Sequence, residues 1–191
     1  MAPPSWADPP ASRPLAPFSD AQLAARLAQA FTEADGTAGA HCIHELWIRG
    51  ELAAQIEKAL ERLWVCAAPS IPDWLPMRYV HWLPLAYEVC GRFKAAAKGR
   101  SHIYLALLDF SDRRGDPHGL YVGMSQYTPA QRFDQHKAGI RAAGSVLKRG
   151  LEVLTGPALH LQYIRRAEAA RIEEELAEAL RDAGLHVEGG H

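Results

Sequence analysis

No apolar run in this chain approaches the roughly 20 residues that a bilayer-spanning helix needs. The N-terminus also lacks the basic and apolar blocks of a signal peptide, so the expectation is a soluble, cytoplasmic protein. Cysteine is scarce. Cys42, Cys66 and Cys90 are odd in number and widely spaced, which argues against a disulfide framework or a zinc knuckle and for reduced, buried thiols. No internal repeat is present, and a formal net charge of −1 selects no partner by itself. What is there is ordinary for a globular chain: 191 residues, 48% hydrophobic and 23% charged, enough for one compact domain with an appendage but too few for two large domains.

The small net charge conceals a segregation along the chain. Residues 1–91 carry 6 basic and 10 acidic side chains, residues 92–150 carry 11 and 4, and residues 151–191 carry 4 and 8. The central segment, with Arg113, Arg114, Lys137, Arg141, Lys148 and Arg149 among its cations, would neutralise phosphates if it folds to one face; otherwise it is a solvated surface.

Residues 1–17 hold six of the 13 prolines and little that could pack, which predicts a disordered leader. Ser19 and Gln22 form a capping box ahead of a helix carrying Leu23, Leu27 and Phe31. The spacing of Leu52, Ile56, Leu60, Leu63 and Trp64 predicts a second helix over 45–64. Residues 71–93 interleave Trp74, Tyr79, Trp82, Tyr87 and Phe93 with Pro72, Pro76 and Pro84, so short helices or turns are expected there. With Arg78 and His81 beside them, these aromatics could stack on nucleobases or form a core.

From residue 101 the pattern changes. Residues 103–109 read as a strand, 110–119 as a polar loop, and 120–123 as a second strand, together a hairpin. Thr128, Pro129 and Gln131 open a helix expected to reach about residue 143. A third strand is expected over 158–164, a helix over 167–183 closed by Gly184, and a last short strand over 185–187. The fold class is therefore α+β, short strands flanked by helices with an N-terminal helical extension. The expected boundaries are a leader at 1–17, a helical region at 18–97 and a domain at 98–191.

Arg132 and His136 lie four residues apart on one helix face, beside the stripe marked by Phe133 and Ile140. A guanidinium fork can hold a phosphate, and an imidazole can exchange protons near neutral pH, although an exposed surface pair has the same spacing. On the last helix Ile172, Leu176 and Leu180 define the buried stripe. Glu173 stands at one edge, Glu168 and Glu175 at the other. A carboxylate at such a rim can bind Mg²⁺ and still reach solvent.

Ile103-Tyr104, then Leu120-Tyr121-Val122-Gly123, then Arg132, His136 and Glu173 in that order, resemble the GIY-YIG nuclease family. The stretches Tyr121-Val-Gly-Met-Ser, Thr128-Pro-Ala-Gln-Arg-Phe-Asp-Gln-His-Lys-Ala-Gly and Val187-Glu-Gly-Gly-His are similar to those of small bacterial members. The resemblance covers residues 100–191, and five positions in order on matching elements make it fairly specific. It implies a small three-stranded antiparallel sheet flanked by helices, and an endonuclease hydrolysing DNA phosphodiesters with one Mg²⁺ or Mn²⁺. In that reading Glu173 holds the ion, Arg132 stabilises the phosphate, and Tyr104 and Tyr121 contact phosphate or help activate water. A phenol with a pKa near ~10 is a weak base, and His136 stands where it could take the proton. Gly123 would let backbone pass close to substrate.

Three features depart from the family pattern. His102 replaces the first glycine, the loop between the tyrosines is long and carries Arg113, Arg114 and His118, and no asparagine follows the last helix, where His186, Glu188 or His191 could substitute. A nucleic-acid-binding module of the same fold without catalysis is the alternative. Residues 18–97 are expected to serve a protein partner or self-association.

Overall fold

The computed structural model describes residues 9–96 and 98–190. The chain divides into two compact units, Met1–Pro84 and Leu85–His191. The composition-based boundary at 97/98 therefore lies inside the second unit. The segment before it is held there by His160, whose Nε2 donates to the carbonyls of Cys90 at 3.0 Å and Phe93 at 3.2 Å, and by the Ala96 N–H, which donates to Glu168 at 2.9 Å.

The first unit is helical. Helix α1 (Asp20–Glu33) starts at the expected Ser19/Gln22 capping box. The single helix expected over 45–64 is instead two, α2 (Gly36–Ile48) and α3 (Ala53–Ala67), because Gly50 takes a left-handed φ of 84° that closes α2. The start of α2 was obscured by Gly36 and Gly39, poor helix formers whose missing side chains admit Ser70 and Leu63. The core comprises Leu23, Ile43, Trp47, Ile56 and Leu63, with Tyr79 stacked on Trp47 at 5.1 Å. Of the expected disordered leader, residues 1–8 lie outside the described residues. Residues 9–17 are ordered: Leu15 is buried, and Arg13 forms two hydrogen bonds to Glu45 at 2.7 and 3.1 Å. Proline there limits the unfolded chain rather than preventing packing.

The second unit is α+β, with a four-stranded mixed sheet in place of the expected three-stranded antiparallel one. Strands β1 (Lys98–Asp109), β2 (His118–Ser125), β3 (Gly150–Val153) and β4 (Val187–Gly189) lie in the order β3-β1-β2-β4. β1 is antiparallel to β2 and β3, and β4 is parallel to β2. The expected strand over 158–164 is absent. Pro157 instead sits in the 3-10 turn Gly156–Ala158, and the segment meets β1 through isolated bridges of Ile164 to Lys98 and Ser101 and through the carbonyls of Leu161 and Tyr163, which accept from the Ile103 and Gly99 N–H groups.

Ser101 through Leu108 are all buried, so β1 is covered on both faces. Around the sheet lie α5 (Pro129–Lys137), α6 (Gly144–Arg149) and α7 (Arg166–Asp182); α4 (Leu83–Gly91) straddles the boundary between the units. Helix α5 stops at Lys137 rather than near residue 143, because Gly139 and Arg141 adopt φ of 78° and 44°. Among the described residues no helix is long and apolar enough to cross a membrane, and Cys42, Cys66 and Cys90 are free thiols.

Candidate active site

The β1–β2 register pairs Tyr104 with Gly123 and Ala106 with Tyr121. Residues two apart on a strand share a face, so both phenols rise from the same side as diagonal neighbours. Their ring centroids are 5.9 Å apart. A Cβ at Gly123 would come within 2.6 Å of the Tyr104 hydroxyl and 2.7 Å of the Tyr121 ring. The glycine thus makes room for the tyrosines themselves, which corrects the reading that it admits substrate.

Helix α5 begins at the Thr128/Gln131 capping box and lays Arg132 and His136 over this face. His136 is only 1% exposed. Its Nε2 lies 2.8 Å from the Tyr104 hydroxyl, and its Nδ1 accepts the Ala143 N–H at 2.8 Å. The Arg132 guanidinium is anchored by the carbonyls of Arg141 at 2.8 Å and Ile140 at 3.4 Å and by Gln135 at 3.1 Å. The connection between α5 and α6 thus braces both side chains. On α7, Glu173 is 8% exposed, packs beneath β2 and accepts a hydrogen bond from the Met124 N–H. The other two candidates on that helix are engaged elsewhere, Glu168 with Ala96 and Glu175 with Arg171 at 2.6 Å.

Burial dominates the electrostatics. It raises the Tyr104 hydroxyl well above the usual phenol range, aided by the neighbouring Tyr121 and opposed by Arg132. Tyr121 is raised for the same reason, though the hydrogen bond from Tyr104 works against it. His136 is lowered to about 4 by burial and by the charge of Arg132, so it is neutral at pH 7. Glu173 is pushed up to about 7 by burial, and the Met124 N–H only partly offsets this. No cation pairs with Glu173 among the described residues, so nothing there offsets the cost of burying its charge beyond the Met124 N–H.

The six basic candidates separate into different roles. Arg149 is committed to Asp112 at 2.6 Å and the Asp109 carbonyl at 2.8 Å, and both Arg149 and Arg113 cover the Phe110 ring. Lys137 donates to the carbonyls of Leu147 and Gly150. Arg114 and Lys148 are exposed. Arg141 lines a cleft of about 670 Å³ together with Arg132, Arg166, Met124, Tyr127 and Ile140.

Three of those cleft residues escaped the sequence reading in this role. Tyr127 and Ile140 are 53% and 56% exposed, large hydrophobic groups standing in solvent. Arg166 is separated from Glu173 by roughly two turns of one helix, the spacing that would have paired them on a face. Among the substitutes considered for the missing asparagine, Glu188 stands opposite Tyr121 in the β2–β4 register, His186 stacks on Phe110 at 4.2 Å, and His191 lies outside the described residues.

No group of three or more potential metal-ligating His, Cys, Asp or Glu side chains occurs among the described residues. A closed protein cage for an ion therefore does not fit. A single carboxylate does fit a hydrated Mg²⁺, which keeps several waters and takes remaining ligands from a substrate phosphate. Comparison with known proteins gives no match: no family model, no curated protein and no solved structure is similar to this chain.

Proposed function

We propose that the second unit is a metal-dependent endonuclease of the GIY-YIG kind that hydrolyses DNA phosphodiester bonds. The observation that carries this reading is the meeting of Tyr104, Tyr121, Arg132 and His136 on one sheet face, with Glu173 buried against β2 beside them. Five residues suited to phosphoryl chemistry come from β1, β2, α5 and α7, and ordinary core packing has no need of them.

In hydrolysis a water oxygen bonds to phosphorus, the bond to the leaving sugar oxygen breaks, and that oxygen takes a proton. Arg132 holds a non-bridging oxygen with a fork that its carbonyl anchors keep from swinging. The tyrosine pair meets the phosphate from the sheet side. Glu173 is the residue that would hold Mg²⁺ or Mn²⁺, and a divalent ion bound there supplies charge stabilisation for the phosphate and the leaving oxygen. Arg141 and Arg166 suit the flanking phosphates, and Tyr127 with Ile140 suits the face of an adjacent base.

The test is incubation of the purified protein with plasmid and branched DNA and Mg²⁺. Cleavage that disappears in Glu173→Ala supports the reading; an inert wild type, or cleavage undiminished in the variant, overturns it. One observation favours the alternative of a binding module without turnover: a carboxyl titrating near 7 is partly protonated at neutral pH, which weakens its hold on a cation. Salt-dependent DNA binding with no cleavage at any pH would select that alternative.

For the first unit we propose self-association through α3, where Trp64 and Val65 on the helix and Leu52 at its N-cap are exposed large hydrophobic residues. Light scattering of the full chain against Val65→Glu tests it, and an unchanged mass would reject it.

A further inference from the structure

Resting on the hydrolytic reading above, the further question is which way the protons point between the imidazole and the two phenols. His136 has two ring nitrogens and, when neutral, one proton. Its Nδ1 lies 2.8 Å from the Ala143 N–H. A backbone N–H can only donate, so Nδ1 must be the unprotonated nitrogen. The proton then sits on Nε2, which lies 2.8 Å from the Tyr104 oxygen and must donate to it.

The rest of the surroundings agree with that direction. Arg132, whose charge lowers the Tyr104 phenol's pKa, is a donor with no acceptor and can only give to that oxygen. A phenol oxygen that accepts from His136 keeps its own O–H to give. Tyr104 is buried, and the phenol beside it on the same sheet face is Tyr121, with ring centroids 5.9 Å apart. Tyr121, half-buried, then has its own O–H to donate.

We propose that the Ala143 N–H fixes the direction of a donor chain running from His136 through Tyr104 to Tyr121. Tyr121 therefore presents a hydrogen-bond donor to an anionic phosphate oxygen, and His136 is a positioning residue that takes no proton. This reverses the role of proton acceptor expected for His136. Accepting a proton through Tyr104 would require His136 to carry its hydrogen on Nδ1, facing the Ala143 N–H with two donors and no acceptor.

The loop that sets the direction is itself held. Arg141 takes a left-handed φ of 44°, which turns its carbonyl onto Arg132 and leads the chain back so that Ala143 reaches the imidazole. One connection therefore orients the guanidinium and selects the tautomer. Water activation then falls to a group other than the tyrosine–histidine chain.

The experiment is ¹⁵N NMR of the histidine side chains in the full-length protein, with His136 assigned by comparison with His136→Gln. The proposal requires a pyrrole-type signal at Nε2 and a pyridine-type signal at Nδ1, both constant across the range where an ordinary histidine titrates. A proton on Nδ1, or titration in that range, overturns it. This reading needs no cleavage activity, so it fails or stands apart from the nuclease assignment.

A kinetic arm uses His136→Gln, whose amide can still donate to Tyr104 but cannot act as a base. Cleavage within about tenfold of wild type in the Gln variant, against a loss of about 10²-fold in His136→Ala, agrees with a positioning donor. Equal losses in the two, with the Gln variant folded by circular dichroism, overturn it. Should the Ala variant fail to fold, Tyr121→Phe serves in its place. It removes only the outward O–H and should lose about 10²-fold in cleavage while leaving the His136 nitrogen signals where they are; full activity in Tyr121→Phe would overturn the donor role.

Discussion

Glu45 in the first unit and Glu173 in the second are both helix carboxylates shielded from water, and their surroundings treat them in opposite ways. Glu45 lies 2.7 Å from Arg13 and 2.8 Å from Arg49. Burial pushes its carboxyl up, but the hydrogen bonds and charges of the two arginines outweigh that and hold it below the usual range. Glu173 has burial and one backbone N–H, and its pKa rises to about 7. A neutralised charge serves packing, whereas an uncompensated one is tolerated at a cost in stability that a bound cation would relieve. The sharpest break of this comparison is in activity. Glu173→Ala should lower DNA cleavage by about 10³-fold or more, while Glu45→Ala should leave the rate per folded molecule unchanged. Equal losses in both variants, measured at matched folded fraction, would remove the distinction.

Arg132 and Arg49 extend the contrast. Arg49 ends on carboxylates of Glu45 and Asp20, but Arg132 is oriented mainly by neutral carbonyls and an amide, so its charge remains uncancelled toward the cleft. Arg132→Lys preserves the charge and loses the fork that spans those anchors. Cleavage in Arg132→Lys should fall by about 10²-fold with little change in melting temperature. A lysine variant cleaving at the wild-type rate would show that a point charge suffices.

The two glutamates should also give stability opposite slopes in pH. For Glu45 the folded pKa is depressed, so its stabilisation is present above the unfolded carboxylate pKa and is lost as pH falls through the folded value. For Glu173 the folded pKa is raised from 4.5 to about 7, so its contribution is fully present below 4.5 and is lost as pH rises through about 7. At pH 7, Glu45→Gln should destabilise and Glu173→Gln should stabilise, the latter by about 3 kcal/mol for a rise from 4.5 to about 7, with both differences shrinking in acid. Urea unfolding at two pH values measures this. Added Mg²⁺ should raise the melting temperature of the wild type and not that of Glu173→Gln. A destabilised Glu173→Gln at neutral pH would contradict the uncompensated-carboxylate account.

The sequence made the site more legible than the sheet around it. Helical periodicity is local, so it put Arg132 and His136 on one face of a capped helix and narrowed the carboxylate to Glu173, Glu168 or Glu175, among which the family resemblance selected Glu173. The short strands were harder. Residues 150–153 are too few for the alternation of Leu151, Glu152 and Val153 to stand out, and their pairing with β1 is decided by contacts far away in sequence. The segment 158–164 has strand-like composition, but Gly156 and Pro157 turn it out of the ladder. In the first unit Gly50 divided one apparent helix into two, since leucine spacing survives across a left-handed residue. The direction of the His136 hydrogen bonds was beyond periodicity altogether, because it depends on the backbone N–H of Ala143 in a loop expected to be helix.

The smallest expected effects concern the basic residues, where the sequence treated six cations alike and their partners divide them. Arg141 and Arg166 line the cleft, whereas Arg149 is bound to Asp112 and Lys137 to two carbonyls. Cations already engaged have less to gain from a phosphate than cations facing an open groove. Alanine at Arg141 or Arg166 should therefore lower the slope of log K against log salt by about 0.7–0.9 each. Alanine at Lys137 or Arg149 should lower the melting temperature and barely move the slope. Tyr127→Ala separates stacking from charge, weakening binding of single-stranded DNA by about 1–3 kcal/mol with the slope unchanged. Fluorescence anisotropy over a salt series reads all of these. A slope change for Arg149→Ala equal to that for Arg141→Ala would place the DNA along the Phe110 side of the sheet rather than across the cleft beside Arg132.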